Sequence, residues 1–263
     1  MATNPFSLPN LIQKTQSSAN LVHKKLTIIP DAIFTMSGNN STCCIATQIA
    51  WKYGINSKNI KQICPLQSCR DNHKVIFIDN DYFKYDHKKH LEAVKKYRPK
   101  YCTVRDVMNE EQCKRDGIEY YPPQQILEWA NELAQYAQNI IIILKDEKYL
   151  EFFDWSKFMI GVPVPSSHGA DVLELKHYYD KKCHLLGGSW ASQLSYIYLL
   201  GNDCISFDNN YLNKIAKSGS FVTETGEVKN LKDTLNFDTE GALYICLSLS
   251  FGAITKALQK LTK

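Results

Sequence analysis

The chain has 263 residues, 44% of them apolar and 22% charged, with a formal net charge of +4. These are the proportions of a folded globular protein, and they exclude a disordered or low-complexity chain. A core of this size needs no disulfide or metal to hold it, and a charge this near balance does not by itself name a partner.

Residues 1–25 are polar, with no apolar signal region, and read as an N-terminal arm. Residues 26–263 read as one domain. "LTIIPDAIF" (Leu26 to Phe34) is a first candidate strand. From Lys74 onward, apolar runs alternate with helical patterns. "KVIFID" ends at Asp79 and is followed by the amphipathic "HKKHLEAVKKY". "YCTVRD" ends at Asp106, before "PPQQILEWANELAQYAQ", which opens on Pro as a first helical turn allows. "NIIIILK" ends at Lys145, with a short helix expected in "YLEFFDWSKF". "MIGVPVP" ends near Pro165 and "CHLLGG" at Gly188. "SWASQLSYIYLLG" is expected as a helix capped by Ser189 and closed by Gly201. "CISFD" ends at Asp208, ahead of a helix in "NYLNKIAKSG". The longest apolar stretch, Ala242 to Ile254, is too short to span a bilayer and reads as a buried helix. No membrane association is expected.

Continuous apolar runs bounded by turns mark strands buried on both faces, and their alternation with helices marks a parallel sheet. Six such strands after Lys74, with one from Leu26 to Phe34, predict an α/β fold of the (β/α)8 barrel type, irregular or incomplete, with an N-terminal extension. In such folds chemistry sits at the carboxyl ends of strands. Asp79, Asp106 and Asp208 each close a run and converge on one mouth, with Lys145 beside them. Strand parity points Ser206 and Asp208 the same way. Asp203 begins its run and belongs to the opposite rim.

Further residues have blander readings. The basic run from Lys84 to Arg105 is a solvated helix face or, through Lys88, Lys89, Lys95 and Lys96, a phosphate contact. Nine scattered cysteines fit a reducing cytoplasm. Cys64, Cys69 and His73, with Cys43 or Cys44, have a spacing at the edge of the zinc range, so thiols are expected there rather than metal. No cofactor is expected. His184 reads as a core histidine, Trp190 as packing, and His168 as a loop residue with a chance of meeting substrate. Gly187 to Ser189 can cradle a phosphate, but the motif is too short to be diagnostic.

"HLLGGSWASQLSYIYLLGNDCISFD" (His184 to Asp208) resembles the late barrel segment of tRNA-guanine transglycosylases, in which an aromatic-Leu-Met-Gly strand and a helix precede the strand carrying the nucleophilic Asp. "FIDNDYF" (Phe77 to Phe83) is similar to their Asp-Ser-Gly-Gly-Phe segment. The order of five segments agrees over roughly Val75 to Asn210. The resemblance implies that Asp79 is an acid/base, that Asp106 reads the guanine edge, that Lys145 stands where the family has Gln, and that Gly161 touches the base. The sequence departs from the pattern in three places. An ungapped match puts Ser206 at the nucleophile, two residues before Asp208. Asp81 and Tyr82 replace the Gly-Gly after Asp79. The cysteine-rich zinc pattern is absent after Asp208, as in the branch that inserts 7-deazaguanines into DNA.

The expected chemistry is therefore base exchange on guanine or a 7-deazaguanine in nucleic acid, DNA rather than tRNA. Asp208 would attack the sugar C1′ to give a covalent glycosyl-enzyme, and Asp79 would move the proton. Gly187 and Gly188 would let backbone approach the base, and Tyr82 or Phe83 would stack on it. Two alternatives stand beside this. One is a catalytically inert nucleic-acid-binding or assembly subunit with a partner protein; the other is an N-glycosidase that uses water in place of a base.

Overall fold

The computed structural model describes residues 26–35, 60–65, 75–165, 173–231 and 239–262. Eight parallel strands form its centre: β1 (Asp31–Thr35), β2 (Ile60–Pro65), β3 (Phe77–Asp79), β4 (Tyr101–Thr103), β5 (Asn139–Ile143), β6 (Met159–Pro163), β7 (Cys183–Leu186) and β8 (Cys204–Asn209). Each pairs with its successor, and β8 pairs with β1, so the sheet closes into a barrel. Outside it lie α1 (His87–Tyr97), α2 (Glu110–Asp116), α3 (Pro123–Leu133), α4 (Trp190–Leu200), α5 (Tyr211–Lys217) and α6 (Thr239–Leu261), with short 3₁₀ segments at Glu147–Phe152, Leu175–Tyr178 and Gly201–Asp203. A small antiparallel hairpin, β9 (Ser220–Val222) and β10 (Val228–Asn230), packs near α6.

The expected elements form for the expected reasons. The β-branched run of β5 is buried on both faces. Asp86 caps α1 by accepting from the Lys89 amide at 3.1 Å, and Ser189 caps α4 by accepting from the Ser192 amide at 3.2 Å. Gly201 ends α4 at φ +59°. The strand in Leu26 to Phe34 is confined to its second half, and "YLEFFDWSKF" forms only the 3₁₀ turn. Strands β2, β9 and β10 and helix α2 are additional to the expected set. Residues 1–25, Cys43, Cys44, Cys69, His73 and His168 lie outside the described residues. No helix among the described residues is long and apolar enough to cross a membrane.

Two apolar layers result. Ile33, Phe77, Tyr101, Ile141, Ile143 and Met159 fill the barrel. A larger shell between strands and helices includes Trp190, which is fully buried and lies 5.8 Å from the Phe207 ring, the packing role expected of it.

One irregularity decides what reaches the mouth. Cys183 pairs with Cys204, but His184 pairs with Ser206, so the register slips and Ile205 is the extra residue. Such a bulge re-aims the side chains beyond it. Here it sets Ser206 opposite His184.

Candidate active site

Asp79 is the last residue of β3 and Thr103 the last of β4. The Thr103 hydroxyl donates to Asp79 Oδ1 at 2.8 Å, and the Asn80 amide donates to the same oxygen at 3.0 Å. The other oxygen, Oδ2, has no hydrogen-bond partner among the described residues. Burial pushes the Asp79 carboxyl up to about 7, and the negative charge of Asp208 adds to the rise. Asp106 contributes a smaller push in the same direction, while the Thr103 and Asn80 hydrogen bonds oppose it.

Asp208 comes from β8, across the same mouth. Its Oδ1 accepts from the Gly187 amide at 3.2 Å and lies 3.3 Å from His184 Nε2. Its Oδ2 again has no partner among the described residues. The side chain is 15% exposed. Gln193, buried in α4, donates to the carbonyls of Gly187 and Asp208 and so ties the β7 turn to the end of β8. Asn209 joins this brace, donating to Gln193 Oε1 at 2.8 Å and to the Gly188 carbonyl at 3.2 Å.

Asp106 and Lys145 stand just past β4 and β5 rather than within them. A bridge between Val107 and Leu144 extends the pairing to reach them. Lys145 Nζ lies 3.7 Å from Asp106 Oδ2, and Asn80 Nδ2 donates to Asp106 Oδ1 at 3.3 Å. Burial raises the Asp106 carboxyl above its ordinary value, and Lys145 and Asn80 work against that.

The other candidates sort by surroundings. Gly187 is at φ +60°, with nothing among the described residues within 4 Å of where a Cβ would stand. The two other glycines expected to touch a base serve packing instead. A Cβ on Gly161 would meet Ile143 at 2.6 Å inside the barrel, and one on Gly188, at φ +81°, would meet Val164 at 2.5 Å. Ser206 is fully buried and bonded to His184 Nδ1 at 2.8 Å, so it does not reach a ligand at the mouth. Tyr82 is engaged within the protein. Its hydroxyl donates to Asp116 at 2.6 Å, and the Arg105 guanidinium stands over its ring while donating to its carbonyl. Phe83 next to it is 71% exposed and is the ring left to stack.

Lys88, Lys89, Lys95 and Lys96 are all exposed along α1. Helix α1 runs back down the barrel wall, so its first turn lies on the side of the mouth and its last turn leads into the start of β4. Lys88 and Lys95 are about 10 Å apart along its axis at 1.5 Å per residue. Lys95 and Lys96 instead stand over the rings of Tyr136 and Tyr97, at 5.2 and 5.3 Å. Lys88 and Lys89 lie in the first turn of α1, on the side of the mouth, and Lys89 also pairs with Asp86 at 2.9 Å.

Sequence reasoning passed over His184, Thr103, Asn80 and Gln193 as site residues. The available signal was parity: His184 and Leu186 share a face on one strand, as Ser206 and Asp208 do on the next. Among the described residues no group of three or more His, Cys, Asp or Glu side chains can hold a metal ion. The arrangement offers two carboxyl groups facing one mouth, one of them raised to about 7, a pattern suited to acid/base and nucleophilic work on one substrate.

The profile of a family described as a family of unknown function, DUF6610, matches residues 46–259. No curated protein matches the chain.

Proposed function

This chain belongs to the DUF6610 family, and we propose that it is a base-exchange enzyme acting on guanine or a 7-deazaguanine in nucleic acid, DNA rather than tRNA, in a divergent (β/α)8 barrel. One observation carries the reading. Asp79 and Asp208 face one mouth, each held through one oxygen with the other unpartnered among the described residues, and burial together with the Asp208 charge lifts Asp79 to about 7. A buried carboxyl that holds its proton up to about 7, beside a second carboxylate, suits the roles of acid and nucleophile.

Asp208 Oδ2 attacks C1′ of a nucleotide turned out of its strand. The bond from C1′ to the base breaks, its electron pair leaves with the base, and protonated Asp79 supplies the proton. An incoming base then attacks C1′, the bond to Oδ2 breaks, and Asp79 takes the proton that the base gives up. Two inversions retain the sugar configuration. Phe83 stacks beside the site, and Lys88 and Lys89 meet phosphates.

A specific observation favours a second reading. Lys145 lies 3.7 Å from Asp106, the carboxylate expected to read the base, and thus partly satisfies it from within. That suits an inert binding or assembly subunit.

The test incubates the protein with guanine-containing DNA and RNA oligonucleotides, single-stranded and duplex, and with isotope-labelled guanine or 7-deazaguanine. Label entering a DNA strand, and lost in Asp208→Asn, is the expected result. Abasic sites without exchange would assign an N-glycosidase. Binding without turnover would assign the inert subunit.

A further inference from the structure

His184 is fully buried, yet both ring nitrogens are engaged by β8: Nδ1 with the Ser206 hydroxyl at 2.8 Å and Nε2 with Asp208 Oδ1 at 3.3 Å. The ring packs on Phe77, with centroids 5.2 Å apart, and stands 6.3 Å from the Tyr101 ring. It therefore lies between the packed interior and the mouth, with little room to turn. An ionised carboxylate only accepts hydrogen bonds, so toward an ionised Asp208 it is Nε2 that carries the proton. In the neutral ring, Nδ1 is then the acceptor and Ser206 the donor. Without the Ile205 bulge, an isoleucine would face His184 and the tautomer would have no such anchor.

We propose that Ser206, His184 and the Gly187 amide form a directional relay that commits Asp208 Oδ1 to two donors and leaves Oδ2 as the atom that bonds to, and later leaves, C1′. This inference rests on the proposed base exchange and assigns His184 as a positioning residue in it. The relay acts unequally on the two half-reactions. As Oδ2 bonds to C1′, negative charge leaves the carboxylate and the two hydrogen bonds weaken. As the incoming base displaces Oδ2, the electron pair of the C1′–Oδ2 bond returns to the carboxylate, and the same donors receive the charge that develops on Oδ1. His184 thereby makes Asp208 a better leaving group more than a better nucleophile.

The experiment has two arms. The first is NMR of protein labelled with ¹⁵N-histidine, with the His184 signals identified by their absence from His184→Gln. The expected result at neutral pH is a protonated Nε2 and an unprotonated Nδ1, with mixed tautomers in Ser206→Ala. A ring protonated only at Nδ1, or a spectrum indifferent to Ser206→Ala, overturns the relay. The second arm traps the glycosyl-enzyme on a guanine-containing DNA oligonucleotide and follows its formation and its decay on adding guanine. His184→Phe is expected to slow decay roughly 10²-fold, the scale for losing one such donor, while changing formation less than about tenfold. His184→Gln, which keeps an N–H, is expected to restore most of the decay rate. Equal slowing of both steps overturns the leaving-group role. The expected ring signature in a wild type that forms no adduct on any oligonucleotide supports the orientation of Asp208 and overturns base exchange instead.

Discussion

The two ends of the barrel treat a buried carboxylate in opposite ways. At the amino end, Asp31 accepts from Lys100 Nζ at 2.6 Å and from the Tyr101 hydroxyl at 2.7 Å. Burial, followed by the bond to Asp31, pushes the Tyr101 phenol up to about 12, so it stays a donor at any working pH. At the carboxyl end, Asp79 faces the charge of Asp208 rather than a cation, and each keeps one oxygen unpartnered among the described residues. A carboxylate there only to close the barrel would be satisfied as Asp31 is. The mouth instead stores electrostatic strain in groups that chemistry could use.

Asp208→Asn should produce the largest change. Exchange should fall by about 10⁴-fold or more, as when a nucleophile acting with its partners is removed. Stability should hold or rise, because a charge that opposes Asp79 is gone. Thermal unfolding read beside turnover checks both, and a variant that unfolds would place Asp208 with Asp31 as a structural carboxylate.

Asp79→Asn comes next, with a loss of about 10²–10⁴-fold, the scale of general acid/base catalysis. Its pH dependence sharpens the contrast. Because the folded carboxyl is raised from 3.8 to about 7, the folded protein holds a proton between those values that the unfolded chain has released. Its stability therefore falls as pH rises through that window. Asp79→Asn should remove this slope. It should be the more stable protein at pH 8, by about 1–3 kcal/mol, and lose that advantage near pH 4. Urea unfolding across pH 4–8 measures it, and parallel curves would contradict the raised carboxyl.

Tyr101→Phe tests the other end. It should cost about 1–2 kcal/mol, by removing one donor from Asp31, and leave exchange unchanged. The smallest effect separates the lysines. Neutralising Lys88 and Lys89 should flatten the dependence of DNA affinity on salt by about two phosphate contacts, and neutralising Lys95 and Lys96 by less. Equal effects would mean that the strand runs along the whole of α1.

How much of this was legible follows from what each feature depends on. Strands β3 to β8 could be read because burial on both faces leaves a continuous apolar run, and the mouth carboxylates because they end such runs. Strand β2, "IKQICP", carries Lys and Gln among its apolar residues and gives no such run. Strands β9 and β10 have three residues each, too few for a period to register. Residues Lys88 to Lys96 read as one basic patch along the chain, and on the helix Lys88 and Lys95 stand about 10 Å apart along the axis. His184 looked like core and is core by burial. Its link to Asp208 depends on a register slip at Ile205, set by pairing between strands rather than by local pattern. The ion pair of Asp106 with Lys145 is equally non-local, joining residues beyond two different strands.

The account stands on Asp208 as the atom donor to the sugar, and peptide mapping of the trapped intermediate tests that most directly. The protein is quenched during exchange on a guanine-containing oligonucleotide, digested and read by mass spectrometry. The predicted result is a glycosyl mass on Asp208 that survives in Asp203→Asn, whose native carboxylate accepts from the Asp180 amide at the far end of β8, and vanishes in Asp208→Asn. Exchange that proceeds with no adduct on Asp208, or an adduct that persists in Asp208→Asn, would contradict it.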